Sequence, residues 1–144
     1  MTEGSSAAVG IVVVSHSGEL ADATVRLVAR LANLPADGPL LVSAGGLEDG
    51  SIGTDATRIA DAIVAADAGA GVVVLADLGS AVLATATAID ELLEPDVASR
   101  VRISRGPLVE GTFVAAVQAS AADAIDGVLA AADEAATMNK LEGR

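Results

Sequence analysis

The chain has 144 residues, the size of one ordinary domain, and carries a net charge of −12. That charge argues against nucleic acid or an anionic membrane as the main partner. Aromatic residues make up only 1% of the chain and cysteine is absent, which excludes aromatic stacking platforms, disulfides and thiolate chemistry.

Strand and helix patterns alternate from the first apolar run onward. The run Val9–Val14 is rich in β-branched residues and is typical of a strand buried on both faces. Ser17 offers an N-cap for a helix that follows up to Leu34. The predicted inner face of that helix consists of Leu20, Ala23, Thr24, Leu27 and Leu31.

The middle of the chain repeats this order. A second strand is predicted over Pro39–Ala44, followed by the glycine-rich loop Gly45–Gly53 and by Thr54 as the cap of the next helix. The run Val72–Ala76 predicts a third strand, and Ser80 is the predicted cap of a third helix. That helix is expected to turn Val82, Ala86, Ile89 and Leu93 inward.

The last third contains one more strand and a long helical stretch. Val101–Ser104 alternates apolar and polar residues, which indicates an edge strand. A turn-rich connection over Gly106–Gly111 leads into helix over Thr112–Ala136, with a break near Ser120. The alternation predicts an α/β fold: a mostly parallel central sheet of about four strands, doubly wound with helices on both faces.

The longest apolar runs, 9–14 and 71–76, are much shorter than the roughly 20 residues that a membrane span needs. We therefore expect a cytoplasmic protein that does not insert into a membrane. A single domain is predicted over residues 9–136, between a flexible N-terminus at 1–8 and a flexible tail at 137–144.

Candidate functional residues gather where the predicted strands end. His16, the only histidine, follows the first strand, and Asp77 follows the third. The carboxyl ends of parallel strands meet at one edge of a sheet, which is where such folds place their sites. An imidazole held by a carboxylate through one ring nitrogen presents the other as a nucleophile. Helix N-termini beginning at Ser17, Thr54 and Ser80 would offer N–H groups to an anion.

These residues predict a phosphohistidine site with His16 and Asp77 as its catalytic pair and without a cofactor or metal. A purely structural histidine remains an alternative, because most histidines in proteins are structural. The loop Gly45–Gly53 has neither the P-loop spacing nor the dinucleotide-binding spacing. The serine-hydrolase elbow is absent, and His16 has no second acid/base pair, which disfavours an independent hydrolase.

Four segments in order carry a resemblance that covers residues 9–117. The segment 12–17 (VVVSHS) resembles the active-histidine segment of the mannose-type IIA domains of the phosphotransferase system. The segments 45–54 (GGLEDGSIGT), 75–81 (LADLGSA) and 107–111 (PLVEG) resemble the phosphoryl-donor subunits of phosphotransferase-dependent dihydroxyacetone kinases.

This resemblance implies a role for each matching position. His16 matches the phosphorylated histidine and Asp77 the carboxylate beside it. The implied phosphoryl pocket consists of Ser15, Ser17, Gly45, Gly46, Gly53, Thr54, Leu78, Gly79 and Ser80. A homodimer is implied, and we place its contact surface, which other partners could share, at Pro107, Leu108, Val109, Glu110 and Gly111.

The implied reaction is phosphoryl relay. His16 would accept the group from phospho-HPr and pass it to ADP bound on the DhaL subunit, and the resulting ATP would phosphorylate dihydroxyacetone on DhaK. Two alternatives stay open: the IIA domain of a mannose-type sugar transporter, and a non-enzymatic regulatory module that binds an anion. The stretch Gly79-Ser80-Ala81 departs from the pattern usual in transporter domains, which favours the kinase subunit.

Overall fold

The computed structural model describes residues 7–143, which form a four-stranded parallel sheet with the strand order β2-β1-β3-β4. The strands are β1 (Gly10–Ser15), β2 (Leu41–Gly45), β3 (Val72–Ala76) and β4 (Val101–Ile103). The helices are α1 (Gly18–Leu31), α2 (Ala56–Ala66), α3 (Gly79–Thr87), α4 (Pro95–Ala98), α5 (Leu108–Ser120) and α6 (Ile125–Glu134). A π-helical turn, Ala88–Leu92, continues α3, and a short 3-10 turn, Ala135–Thr137, follows α6.

Helices cover both faces of the sheet, which confirms the predicted fold class. On one face, α2 and α3 pack on alternate strand residues that include Val12 and Val74. On the other face, α1, α5 and α6 pack on Ile11 and Leu75. Because successive side chains of a strand point to opposite faces, covering both faces requires strands that are apolar throughout.

The predicted inner face of α1 is confirmed at Thr24 and wrong at its leucines. Leu20, Leu27 and Leu31 are 43%, 45% and 61% exposed, whereas Ala21, Thr24 and Val28 are the buried residues of the helix. Small residues face the sheet because the helix approaches β2 closely: a Cβ at Gly45 would overlap Ala21. The buried hydroxyl of Thr24 donates to the carbonyl of Leu20, which satisfies it inside the helix.

The predicted helix starts are confirmed in one case and wrong in two. Ser17 caps α1 by accepting from the N–H of Leu20. Asp55, not Thr54, caps α2, because its carboxylate accepts from the N–H groups of Thr57 and Arg58. Ser80 lies inside the first turn of α3, which begins at Gly79.

Two further differences concern the second half of the chain. The buried residues of α3 and its continuation are Ala81, Thr85 and Ala88. The predicted inner face is therefore wrong at Val82, which is exposed, whereas Ile89 and Leu93 pack against the core as predicted. The turn-rich connection ends at Pro107, since α5 already begins at Leu108. The predicted break near Ser120 is confirmed, with α6 beginning at Ile125.

The predicted terminal segments are only partly covered. Residues 1–6 of the predicted N-terminal segment, and residue 144 of the predicted tail, lie outside the described residues. Within the tail, Lys140 forms an ion pair with Glu110 of α5. Over residues 7–143, no helix combines the length and the apolar character needed to cross a membrane.

Candidate functional site

The sheet register brings the end of β1 beside the end of β3. Val14 pairs with Ala76, and the N–H of Asp77 extends this pairing by donating to the carbonyl of Val14 at 3.1 Å. His16 and Asp77 are therefore the residues that directly follow two adjacent strands. Their proximity is a direct consequence of parallel pairing between central strands.

The carboxylate of Asp77 accepts hydrogen bonds on both oxygens. Oδ1 accepts from the ring Nδ1 of His16 at 2.9 Å and from the N–H of Leu78 at 2.7 Å. Oδ2 accepts from the hydroxyl of Ser15 at 2.8 Å and from the N–H of His16 at 3.0 Å. Four donors use the whole acceptor capacity of a carboxylate, so the group is held in one orientation.

Burial and hydrogen bonding act in opposite directions on the pKa of Asp77. The largest single effect, burial, raises this pKa, because it disfavours the charged form. The bonds donated by the N–H of His16, the hydroxyl of Ser15, the ring of His16 and the N–H of Leu78 together outweigh it, so the pKa lies below its ordinary value. Asp77 is therefore an anion at neutral pH.

The imidazole of His16 stands with one nitrogen on the carboxylate and the other toward solvent. Because an ionised carboxylate can only accept, Nδ1 carries a proton, and in the neutral ring the lone pair then lies on Nε2. The Oγ of Ser80, in the first turn of α3, lies 2.5 Å from Nε2 and is the donor of this hydrogen bond when the ring is neutral with its proton on Nδ1. The side chain of His16 is 22% exposed, so the imidazole is partly accessible to solvent.

The glycine-rich loop after β2 shapes the site through its backbone. A Cβ at Gly45 would overlap the carbonyl oxygen of Ser17, so a larger residue would push β2 away from the start of α1. Gly46 adopts a φ of +68°, in the left-handed region that favours glycine. The N–H of Gly53 donates to the carbonyl of His16 at 2.9 Å, which fixes the backbone beneath the imidazole.

The other predicted pocket residues have different positions. Ser15 is buried, with its hydroxyl on Asp77 rather than in the open part of the site. Ser17 lines a cavity of about 280 Å³ at the start of α1, together with Gly45 and Gly46. Leu78 and Gly79 are exposed beside Asp77.

The predicted contact surface at the start of α5 is partly used within the chain. Leu108 packs against the core, and Gly111 is buried with Leu75 over it. Glu110 is paired with Lys140, while Val109 is 38% exposed. The dimer contact stays a prediction.

A second cluster at the end of β4 was not predicted. The buried Ser104 donates to Oδ1 of Asp133 at 2.7 Å, and the N–H of Arg105 donates to the same oxygen at 2.9 Å. The sequence does place Ser104 at a strand end, as it does Ser15, but its partner comes from α6. Nothing in the local pattern identifies Asp133 as that partner. Within residues 7–143, no group of three acidic or histidine side chains is arranged to hold a metal ion.

Comparison with known proteins agrees with this geometry. Residues 10–129 match the EIIA-man family model, described as the PTS system fructose IIA component. The chain belongs to this family, as an EIIA domain of the DhaM type. The predicted family is thereby confirmed.

Two relatives and one solved structure define the range of the similarity. The chain is 40% identical over 115 residues to the phosphoryl donor subunit DhaM of a PEP-dependent dihydroxyacetone kinase from Klebsiella michiganensis, covering 78% of this chain and 24% of that protein. It is 36% identical over 110 residues to a DhaM subunit from Listeria innocua, covering 76% and 85%. A crystal structure of a protein of unknown function superposes with a TM-score of 0.75 at 34% identity, covering 88% and 94%. The chain thus spans about a quarter of the Klebsiella protein.

Proposed function

We propose that this chain is a phosphohistidine carrier for dihydroxyacetone kinase. His16 accepts a phosphoryl group from phospho-HPr and passes it to ADP bound on DhaL, and the ATP formed serves the phosphorylation of dihydroxyacetone on DhaK. The observation that carries the proposal is the 2.9 Å bond between Nδ1 of His16 and the ionised Asp77, which leaves Nε2 as a nucleophile. The names of the DhaM relatives support the choice of pathway.

The geometry favours Nε2 as the reacting nitrogen, because Nδ1 is engaged with Asp77. The lone pair of Nε2 attacks phosphorus in line with the bond to the donor, so that the N–P bond forms as the donor–P bond breaks. The ring becomes more positive as Nε2 binds phosphorus, and the anionic Asp77 stabilises that charge through the Nδ1 proton. In the second step a β-phosphate oxygen of ADP attacks phosphorus, and the electron pair of the N–P bond returns to Nε2.

The start of α3 is placed to receive the phosphoryl oxygens. Within the described residues no side chain caps this helix, so we expect the N–H groups of Gly79 and Ser80 to donate to an anion beside Nε2. The hydroxyl of Ser80, which donates to Nε2 in the resting state, has to rotate away before attack. The same hydroxyl can then donate to a phosphoryl oxygen.

Two exposed apolar side chains, Leu78 and Ile52, belong to the segments that form the site, and we call them the exposed rim. Leu78, next to Asp77, is 65% exposed, and Ile52, next to Gly53, is 72% exposed. Both residues adjoin backbone groups that hydrogen-bond within the site. We propose that the donor protein contacts this rim when its phosphoryl group reaches Nε2, since exposed apolar side chains around a reactive group are typical of interaction surfaces.

We also propose that the protein is a homodimer. At the start of α5, Val109 is exposed next to Glu110, which forms an ion pair with Lys140. An exposed apolar residue at this position supports the contact surface that the resemblance implies. Sedimentation of the purified chain tests this point, with Val109→Asp expected to shift the population toward monomer. A monomer in the unmodified chain would contradict it.

Intact-mass measurement tests the proposed function. The protein is incubated with phosphoenolpyruvate, enzyme I and HPr, and we expect one added phosphoryl group that mild acid removes, because phosphohistidine is acid-labile. Acceptance without acid release would indicate a serine instead. An unchanged mass would overturn the carrier and favour a regulatory module that binds an anion.

The phosphorylated protein is then divided between two acceptors. Incubation with DhaL and ADP should yield ATP and the unmodified chain, while a transporter IIB domain should leave the phosphoryl group in place. Transfer to IIB alone would assign the chain to a mannose-type sugar transporter.

A further inference from the structure

Ser15 occupies a position that the reaction as described does not use. It is the last residue of β1 and is 1% exposed. Its hydroxyl donates to Oδ2 of Asp77 at 2.8 Å and accepts from the N–H of Ser17 at 3.0 Å. With its donor and an acceptor position both engaged and the side chain covered, the hydroxyl cannot contact a phosphoryl group on Nε2.

We propose that Ser15 is a positioning residue that acts on His16 through Asp77. Its hydroxyl holds Oδ2 in place, so that Oδ1 stays directed at Nδ1 and the ring keeps the tautomer with a free lone pair on Nε2. This inference rests on the proposed function for its kinetic consequence. Its structural part, the control of the tautomer, can be measured without any phosphoryl transfer.

Free rotation of the Asp77 carboxylate is the reason why the bond from Ser15 matters. Rotation about the bond between Cβ and the carboxyl carbon of an aspartate is broad, so the orientation of the group depends on donors other than the residue that it has to hold. On Oδ1 that donor is the N–H of Leu78. Ser15 is the side-chain donor on Oδ2, and the other donor there is the N–H of His16 itself. Removing the hydroxyl leaves Oδ2 anchored only by the residue whose ring Asp77 has to orient.

The bond from Ser17 gives the serine its own fixed orientation. Ser17 is the N-cap of α1, and its N–H donates to Ser15 Oγ. The oxygen therefore accepts from one side, and its single proton points to the carboxylate. The hydroxyl thus links the start of α1 to the carboxylate at the end of β3.

The lone histidine makes the test direct. In protein labelled with ¹⁵N-histidine, His16 supplies all the ring signals, because the chain contains one histidine. We expect the unmodified protein to show the tautomer with the proton on Nδ1, and Ser15→Ala to show a mixture of both tautomers. We expect phosphoryl acceptance from phospho-HPr to slow about tenfold in Ser15→Ala, as for a lost hydrogen bond to a charged group.

Ser104→Ala is the matched control. Ser104 directly follows β4, is buried and donates to an aspartate, and it accepts from the N–H of Gly106 two residues further along the chain. Its removal should leave the ring signals of His16 and the acceptance rate unchanged. If Ser104→Ala changed both as much as Ser15→Ala does, the effect would come from general loosening of the strand ends and the proposal would fail.

The remaining outcomes are also decisive. An unchanged tautomer in Ser15→Ala overturns the proposal, whatever the rate. Should Ser15→Ala not fold, Ser15→Cys keeps the shape with a weaker donor and should shift the tautomers in the same direction. If the unmodified protein accepts no phosphoryl group, the proposed function fails, while the tautomer comparison still decides the role of Ser15.

Discussion

The ends of β1 and β4 carry the same hydrogen-bonding pattern around different side chains. In each, a buried serine donates to an aspartate from another element, and the N–H of the next residue donates to the same carboxylate oxygen. The N–H two residues beyond the serine donates back to its hydroxyl, at 3.0 Å in both clusters. The residue between is His16 at β1 and Arg105 at β4.

The difference lies in what the second carboxylate oxygen contacts. Oδ1 of Asp77 accepts from the imidazole and from the N–H of Leu78, and the pKa of Asp77 is lowered despite its burial. At β4 the chain turns Arg105 to solvent, and the aspartate only closes the strand end. A serine and an aspartate that anchor a strand end are thus a structural device. At the end of β1 the anchored carboxylate also holds an imidazole, which is the arrangement that the proposed phosphoryl transfer uses.

The largest expected effect distinguishes His16 from Arg105, which directly follow the two buried serines. His16→Ala should abolish phosphoryl acceptance, while Arg105→Ala should accept at the unmodified rate. Both variants should keep the fold, because neither side chain belongs to the two buried core clusters. Intact mass after incubation with the phosphoryl donors, alongside circular dichroism, measures both points. An added phosphoryl group on His16→Ala would place the acceptor elsewhere.

The two aspartates provide the next contrast. Asp77→Asn should slow acceptance about 100-fold or more, because an amide no longer enforces the Nδ1 proton or stabilises the charged ring. Asp133→Asn should leave the rate unchanged, although it disturbs an equivalent serine bond. Single-turnover measurement with phospho-HPr gives the rates. Equal slowing by both variants would show that the rate depends on strand ends in general.

The exposed rim provides a third comparison, between Leu78, which we expect to contact the donor protein, and an exposed apolar residue far from His16. Leu78→Ala should raise the KM for phospho-HPr about tenfold and leave kcat nearly unchanged, as expected for a residue that contacts the partner protein. Val64→Ala is the control, since Val64 is 57% exposed but lies in the last turn of α2, toward the opposite edge of the sheet. A similar KM change in Val64→Ala would remove the rim from the docking surface.

The smallest expected effect is on stability in acid. The pKa of Asp77 is lower in the folded protein than the ordinary 3.8, so the folded state binds this proton less readily than the unfolded state. The resulting stabilisation is present above that ordinary value and is lost as the pH falls through the folded pKa. Urea unfolding at about pH 5 and about pH 3 should therefore show the difference between the unmodified protein and Asp77→Asn narrowing in acid. A constant difference would contradict the lowered pKa.

Several elements could be predicted because their signals are local or follow from parallel pairing. The runs around Val12 and Val74 are apolar throughout, which buried parallel strands require. His16 and Asp77 were placed together because each follows one of those strands, and parallel strands end at one edge. The cap at Ser17 is predictable for a different reason, because an N-cap depends only on a few neighbouring residues.

The inner face of α1 shows why the rest could not be predicted. Three leucines at helical spacing suggest an inner face, yet the sheet receives Ala21 and Val28 because the helix comes close to β2 at Gly45. The distance between α1 and β2 depends on how the two elements pack, and the pattern of apolar residues along one helix does not predict it. The same holds for Ser80, which looks like a cap but contacts the imidazole.

The succession of strands along the chain and the meeting of one histidine with one aspartate follow from the sequence, because the apolar runs identify the strands and parallel strands end at one edge. The order of those strands within the sheet is known only from the structure. The bonds of Ser15 and Ser80, the partnership of Ser104 with Asp133 and the exposure of the α1 leucines arise only in the folded molecule. The physical reason is range. A hydrogen bond between residues 29 or more positions apart requires strand register and helix placement to be correct to a fraction of an ångström, and no local pattern carries that information.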